Sequence, residues 1–220
     1  MKFTEGYWEK SERANASHAM QAFIVEEIPN GMQIVAPFHI ITDRSGALDV
    51  GTITIEFTAI RKDVISVRSW HFEGYQRKEP RFELNKDMQD VDVEITDEKA
   101  IMTAGRMQVC VDRKDFKIEY KADGKVLTTC GFRNIGYMQY DRSNSTKFPE
   151  SNYMYSDYTP YMNTELSLAP GECVYGMGER FTSFVKNGQV VDCWNEDGGT
   201  ASQISYKNIP FYMTNKNYGI

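Results

Sequence analysis

Four carboxylates, Glu179, Asp192, Glu196 and Asp197, fall within a short stretch that also carries Trp194 and a Gly198-Gly199 pair. Paired carboxyls are the usual means of cleaving a glycosidic bond. One serves as acid and the other as nucleophile or base, about 5–5.5 Å apart in retaining chemistry and wider in inverting chemistry. Sequence spacing does not show that any two of these groups face each other. Glu179 stands beside Arg180, which suits a structural ion pair where a strand leaves its sheet. Asp192 reads as a solvated loop carboxylate. Asp197 sits in Trp194-Asn195-Glu196-Asp197-Gly198-Gly199-Thr200, where two glycines let the backbone turn sharply and present the side chain outward. A carboxylate there can accept hydrogen bonds from vicinal sugar hydroxyls, with Trp194 as an apolar platform. It can equally cap its own turn. Both readings stand on the residues alone.

The elements that must hold this stretch are strands. Ile53, Ile55 and Phe57 alternate with Thr52, Thr54, Glu56 and Thr58. The same period of two recurs at Met32-Ile34-Ala36, at Val91-Val93-Ile95 and at Phe116-Ile118-Tyr120, the pattern of strands with one face in a core. Val64–Phe72 reads as a more fully buried strand. Asp123-Gly124 tolerates the positive φ angles of a tight turn and predicts a β-hairpin over 115–130. Pro29-Asn30-Gly31 and Arg44-Ser45-Gly46 are further breaks, and no window carries a sustained helical stripe. Short strands separated by Gly, Pro and Asp turns predict an all-β, antiparallel sandwich.

Near the C-terminal end, Leu166-Ser167-Leu168 predicts a strand leading into Val174-Tyr175-Gly176-Met177-Gly178. Alternate glycines in a strand leave room for a close neighbouring chain or a ligand. Residues 137–161 break the pattern, with Tyr137, Tyr140, Tyr153, Tyr155, Tyr158 and Tyr161 among Asn, Ser and Pro. That composition suits a long loop packing on its own rings, and also a surface that stacks on sugars. The last residues, Phe211-Tyr212-Met213-Thr214, a polar turn, then Tyr218-Gly219-Ile220, predict a hairpin cut one strand short, so a further domain is expected downstream.

Composition narrows the function classes. The 220 residues are 41% hydrophobic and 13% aromatic, enough for a sizeable core, and the net charge is −6. No basic stripe offers itself to phosphates, so nucleic acid is not an expected partner. No segment is apolar enough to predict a membrane span or signal peptide. Cys110, Cys130, Cys173 and Cys193 form no CxxC pair and accompany no metal-binding cluster, so reduced thiols, no metal and no cofactor are expected. The Asn-x-Ser/Thr triplets at Asn15 and Asn144 carry little weight without a secretion signal.

Three pieces of the sequence carry a family resemblance: Val174-Tyr175-Gly176-Met177-Gly178-Glu179-Arg180-Phe181, Trp194–Thr200, and Tyr206-Lys207-Asn208-Ile209-Pro210-Phe211-Tyr212. Together they resemble the signature ending the N-terminal β-sandwich of glycoside hydrolase family 31, nearest in likeness to its bacterial α-xylosidase branch. The likeness is strong from Gly171 onward and recognisable at Met1–Trp8, and in the middle strands it rests mainly on pattern. It implies a galactose mutarotase-like supersandwich over 1–220, followed by a (β/α)8 barrel that supplies the nucleophile and the acid/base. No catalytic residue is therefore assigned here. It further implies that the Trp194–Thr200 loop reaches over the barrel mouth, where Asp197, with Trp194 and Asn195, contacts the sugar or its leaving group. The implied partners are the chain's own C-terminal barrel and α-xylosides or other α-linked oligosaccharides, in the cytoplasm, with homo-oligomer contacts left open. Mutarotases themselves use a His and a Glu. His18, His39 and His71 give that chemistry no support, His71 reading as a structural histidine. A stand-alone carbohydrate-binding module is the alternative, motivated by Tyr153–Tyr161 and Trp194.

Overall fold

A computed structural model describes residues 4–5, 9–10, 12–74, 82–141, 158–196 and 204–220. The chain divides into two compact units, Glu12–Ser167 and Leu168–Ile220 with Met1–Ser11. In the latter, β1 (Thr4–Glu5) and β2 (Glu9–Lys10) pair antiparallel.

The larger unit is built from antiparallel sheets. One has four strands, β4 (Ile24–Ile28), β5 (Gly31–Pro37), β6 (Thr52–Arg61) and β7 (Val64–Trp70), in that order. A second runs β12-β11-β10-β9-β8, from β8 (Asp92–Ile95), β9 (Lys99–Ala104), β10 (Met107–Asp112), β11 (Lys117–Ala122) and β12 (Lys125–Cys130). A third joins β3 (Ala14–His18), β13 (Ile135–Asp141) and β14 (Tyr158–Thr164) in the order β14-β13-β3. The one helix among the described residues is a 3-10 turn at Ser45–Ala47, where Asp43 Oδ1 accepts from the Ser45 and Gly46 amides.

The period-two runs fix the register. Met32, Ile34 and Ala36 of β5 stand opposite Phe57, Ile55 and Ile53 of β6, and all six are fully buried. A slip of one residue would turn the whole row to solvent. These side chains share a core with Ala100 and Met102 of β9, Val109 and Val111 of β10, and Ile118 of β11, so the first two sheets form a sandwich. Each large side chain so buried contributes about 1.5–3 kcal/mol. The expected hairpin is β11–β12, with Asp123 at φ +50° and Gly124 at φ +73°. Phe116 is buried but precedes β11 in a turn, at φ +46°.

The structure corrects three expectations. β7 is the last strand of its sheet rather than a buried one, and Val64 and Val67 are exposed, as is Phe72 just beyond it. The stretch from Tyr137 begins and ends in paired strands, with Tyr137 opposite Met162 and Tyr140 opposite Thr159. Residues 142–157, which include Tyr153 and Tyr155, lie outside the described residues. Leu166–Leu168 is not a strand. Ser167 is tied to β12, its amide donating to the Thr129 carbonyl at 2.9 Å and its carbonyl accepting from Thr128 Oγ1 at 2.8 Å.

His71 is structural, as expected. Its Nδ1 lies 2.8 Å from the Thr52 carbonyl, and its ring packs on Phe38 and Tyr137. All four cysteines are free thiols. Burial pushes the Cys130 thiol up to about 12, whereas Cys193 is exposed.

Candidate functional site

In the smaller unit, β15 (Val174–Gly176) pairs antiparallel with β16 (Tyr212–Thr214). The far edge of β16 pairs with the chain end, Tyr212 and Ile220 exchanging both backbone hydrogen bonds at 2.8 Å. Asn215 and Asn217 (φ +63°) form the turn between them. Asn215 also ties the hairpin back, accepting from the Cys173 amide and donating to the Gly171 carbonyl. Glu172 is buried beneath this turn, and its Oε2 accepts from the Ala169 amide at 2.7 Å. Burial alone would raise its pKa. The Tyr218 side chain, the Ala169 amide and the Thr214 side chain around it, with the charge of Lys216, hold it below the ordinary glutamate value.

Of the two alternatives for the alternate glycines, the structure shows a close neighbouring chain. A Cβ at Gly176 would lie 2.6 Å from the Phe211 carbonyl oxygen, and one at Gly178 would lie 2.2 Å from that of Lys207. Gly176, Met177 and Gly178 all have positive φ. Only glycine visits such backbone routinely at two places so close together. The corner delivers Arg180 to a polar node. Its Nε donates to the Met177 carbonyl at 3.0 Å, and Nη2 to the Asp192 carbonyl at 2.7 Å and to Asn208 Oδ1. The Glu179 carboxylate meets Lys207, 28 residues on, at 3.2 Å, so the ion pair expected with Arg180 forms with another partner.

Asn208 stands at the centre. Its Nδ2 faces the Trp194 carbonyl at 2.7 Å, Asn195 Oδ1 at 2.9 Å and the Ser205 carbonyl at 2.7 Å. Asn195 bridges to Ser205, and the Glu196 amide donates to the Ser205 carbonyl at 3.0 Å. Ser205 Oγ donates in turn to the Glu179 carbonyl. A neighbouring loop folds on Lys186, whose buried ammonium donates to Thr182 Oγ1 and the Ser183 carbonyl. Burial and the nearby charge of Arg180 lower its pKa.

Of the residues expected to meet substrate, Trp194 is 73% exposed with its carbonyl held by Asn208. Asn195 is exposed, but its carboxamide oxygen is engaged with Asn208. Asp197 lies outside the described residues. Among the described residues no cluster of three or more His, Cys, Asp or Glu side chains could hold a metal. Sequence reading gave Arg180, Ser205 and Asn208 no role in the site, although the quoted motifs contain Arg180 and Asn208. A lone Asn in a turn carries no local signal of four partners.

The larger unit is an antiparallel β-sandwich, and the smaller unit carries an exposed aromatic, Trp194, whose carbonyl is held by Asn208. The family profile described as glycosyl hydrolase 31 N-terminal galactose mutarotase-like domain matches residues 54–220, and the chain belongs to this family. It is 35% identical over 221 residues to the α-xylosidase XylQ of Lactiplantibacillus pentosus, covering all of this chain and 27% of that protein. It is 35% identical over 234 residues to an α-xylosidase of Emericella nidulans, of which it covers 29%. The chain thus spans just over a quarter of the length of these relatives. In fold it is similar to a cycloalternan-forming enzyme from Listeria monocytogenes (TM-score 0.66, 15% identity, 94% of this chain and 17% of that one). A GH31 dextranase from Flavobacterium johnsoniae is also similar (TM-score 0.65, 15% identity, 92% and 22%). No helix among the described residues is long and apolar enough to cross a membrane.

Proposed function

We propose that residues 1–220 are the N-terminal, non-catalytic β-sandwich of a retaining α-glycosidase, an α-xylosidase acting on terminal α-xylosyl residues. The domain supports a downstream catalytic barrel and lends the loop opening at Trp194 to the substrate site. The observation that carries this reading is Trp194 itself, an indole exposed to 73% on a backbone held by side-chain hydrogen bonds. An exposed aromatic on a held loop suits the apolar face of a sugar. Phe181, Phe184, Tyr206 and Ile209 of the same unit are also more than half exposed. Exposed apolar surface on this scale suits contact with a protein partner, here the enzyme's own barrel. The α-xylosidase relatives, longer than this chain by a factor of more than three, favour that substrate class. Free thiols agree with a cytoplasmic setting.

The isolated 220-residue chain tests this directly. It should hydrolyse no α-xyloside, because cleavage needs two opposed carboxyls and the proposal places both in the barrel. Hydrolysis by the pure chain would overturn the reading. Titration with xylo- and gluco-oligosaccharides separates it from a stand-alone binding module, for which millimolar or tighter binding by the chain alone is required.

A further inference from the structure

We propose that Arg180 and Asn208 are positioning residues that hold the backbone of Trp194 and Asn195 in its working place, a role that rests on the substrate-site reading above. Glu196 and Ile204 flank residues 197–203, and the residues at these two ends converge on one carboxamide. On the outgoing side, Asn208 Nδ2 faces the Trp194 carbonyl and Asn195 Oδ1. On the returning side it faces the Ser205 carbonyl. The two sides also bond to each other through Glu196 and Ser205.

The carboxamide has a single workable orientation. The Arg180 guanidinium can only donate, so it takes Asn208 Oδ1. The Trp194 and Ser205 carbonyls opposite can only accept, so they take the two N–H groups of Nδ2, with Asn195 Oδ1 beside the same nitrogen. Arg180 in turn ties the node to the glycine corner through the Met177 carbonyl and to the approaching chain through the Asp192 carbonyl. Its planar fork reaches three acceptors at once, which a lysine ammonium on a flexible stem does not reproduce. Asn195, a candidate sugar contact by sequence, joins the same node by its oxygen. Trp194 is held by its peptide while its ring stays in solvent. The arrangement fixes the backbone that carries the indole and leaves the ring uncovered.

Asn208→Asp keeps volume and the contact to Arg180 but turns an anion toward three oxygens. In the full-length enzyme two readouts decide the proposal. Amide exchange at Glu196 should rise about tenfold or more, while the Tyr212 amide in the β15–β16 pair stays as slow as in the wild type. The kcat/KM for an α-xyloside should fall about ten- to a hundredfold, since small misplacements of positioning groups cost that much. The same substitution placed on Trp194→Ala should cost less than about twofold, because residues acting as one unit are not additive. Unchanged exchange at Glu196 would overturn the node. An equal kinetic loss in both backgrounds would show that Asn208 acts elsewhere. Faster exchange with wild-type kinetics for Trp194→Ala would refute the substrate reading, and with it the positioning role, leaving Asn208 a loop anchor only.

Discussion

Replacing Gly178 by alanine should loosen the smaller unit far more than replacing Gly124 by alanine loosens the larger one. Both glycines have left-handed backbone, at φ +84° and +73°. A Cβ-bearing residue pays about 1–2 kcal/mol for that conformation. At Gly124 nothing lies within 4 Å of the new atom, so the cost ends there. At Gly178 the Cβ would lie 2.2 Å from the Lys207 carbonyl oxygen and 2.9 Å from the Ile209 nitrogen. Both are backbone atoms that cannot rotate aside, and forced repacking of this kind adds about 1–3 kcal/mol. The expected totals are about 2–5 kcal/mol for Gly178→Ala and about 1–2 kcal/mol for Gly124→Ala. Native-state hydrogen exchange reads both. The Glu179 amide, bonded to the Lys207 carbonyl at 3.2 Å, reports on the corner. The Asp123 amide, bonded to Arg106, reports on the hairpin. At 1.4 kcal/mol per tenfold, protection at Glu179 should fall by about 30-fold or more. If Gly178→Ala costs no more than Gly124→Ala, the close approach at the corner does not constrain the fold and the reasoning fails.

Two further predictions concern titratable groups. Glu172 has a folded pKa below its ordinary value of 4.5, so its contribution to stability is complete above that value and is lost as pH falls through the folded one. Acid unfolding of the unit should therefore be steeper in the wild type than in Glu172→Gln, and parallel curves would refute the role of the buried carboxylate. Cys130, buried and with its thiol held near 12, should resist a maleimide until the chain unfolds, while exposed Cys193 is modified in the folded state. Peptide mapping of the labelled chain checks the order, and early labelling of Cys130 would contradict the core assignment.

The sandwich was legible in the sequence because a half-buried strand writes its own period. Met32-Ile34-Ala36 and Ile53-Ile55-Phe57 needed no partner to be recognised, and they proved to be partners of one another. The place of β7 was not legible. Its apolar residues look like those of a central strand, and only the sheet order shows it at an edge. Tyr-rich stretches are similarly ambiguous, since aromatics suit both loops and strands, and Tyr137 and Tyr140 turned out to pair with β14. In the site, the glycines of the corner were readable because close approach leaves few other choices. The ion pair at Glu179 was misplaced because sequence neighbours need not meet, and the lysine that meets it is 28 residues away. The node at Asn208 depends on four groups spread from Arg180 to Ser205, a convergence that no local pattern announces.

The most direct test of the central claim is the steady-state kinetics of full-length Asp197→Ala on an α-xyloside, with thermal unfolding measured alongside. Its kcat/KM should fall about tenfold or more at unchanged stability, as for loss of a hydrogen-bonding contact to substrate. Wild-type kinetics in that variant would remove the loop from the substrate site.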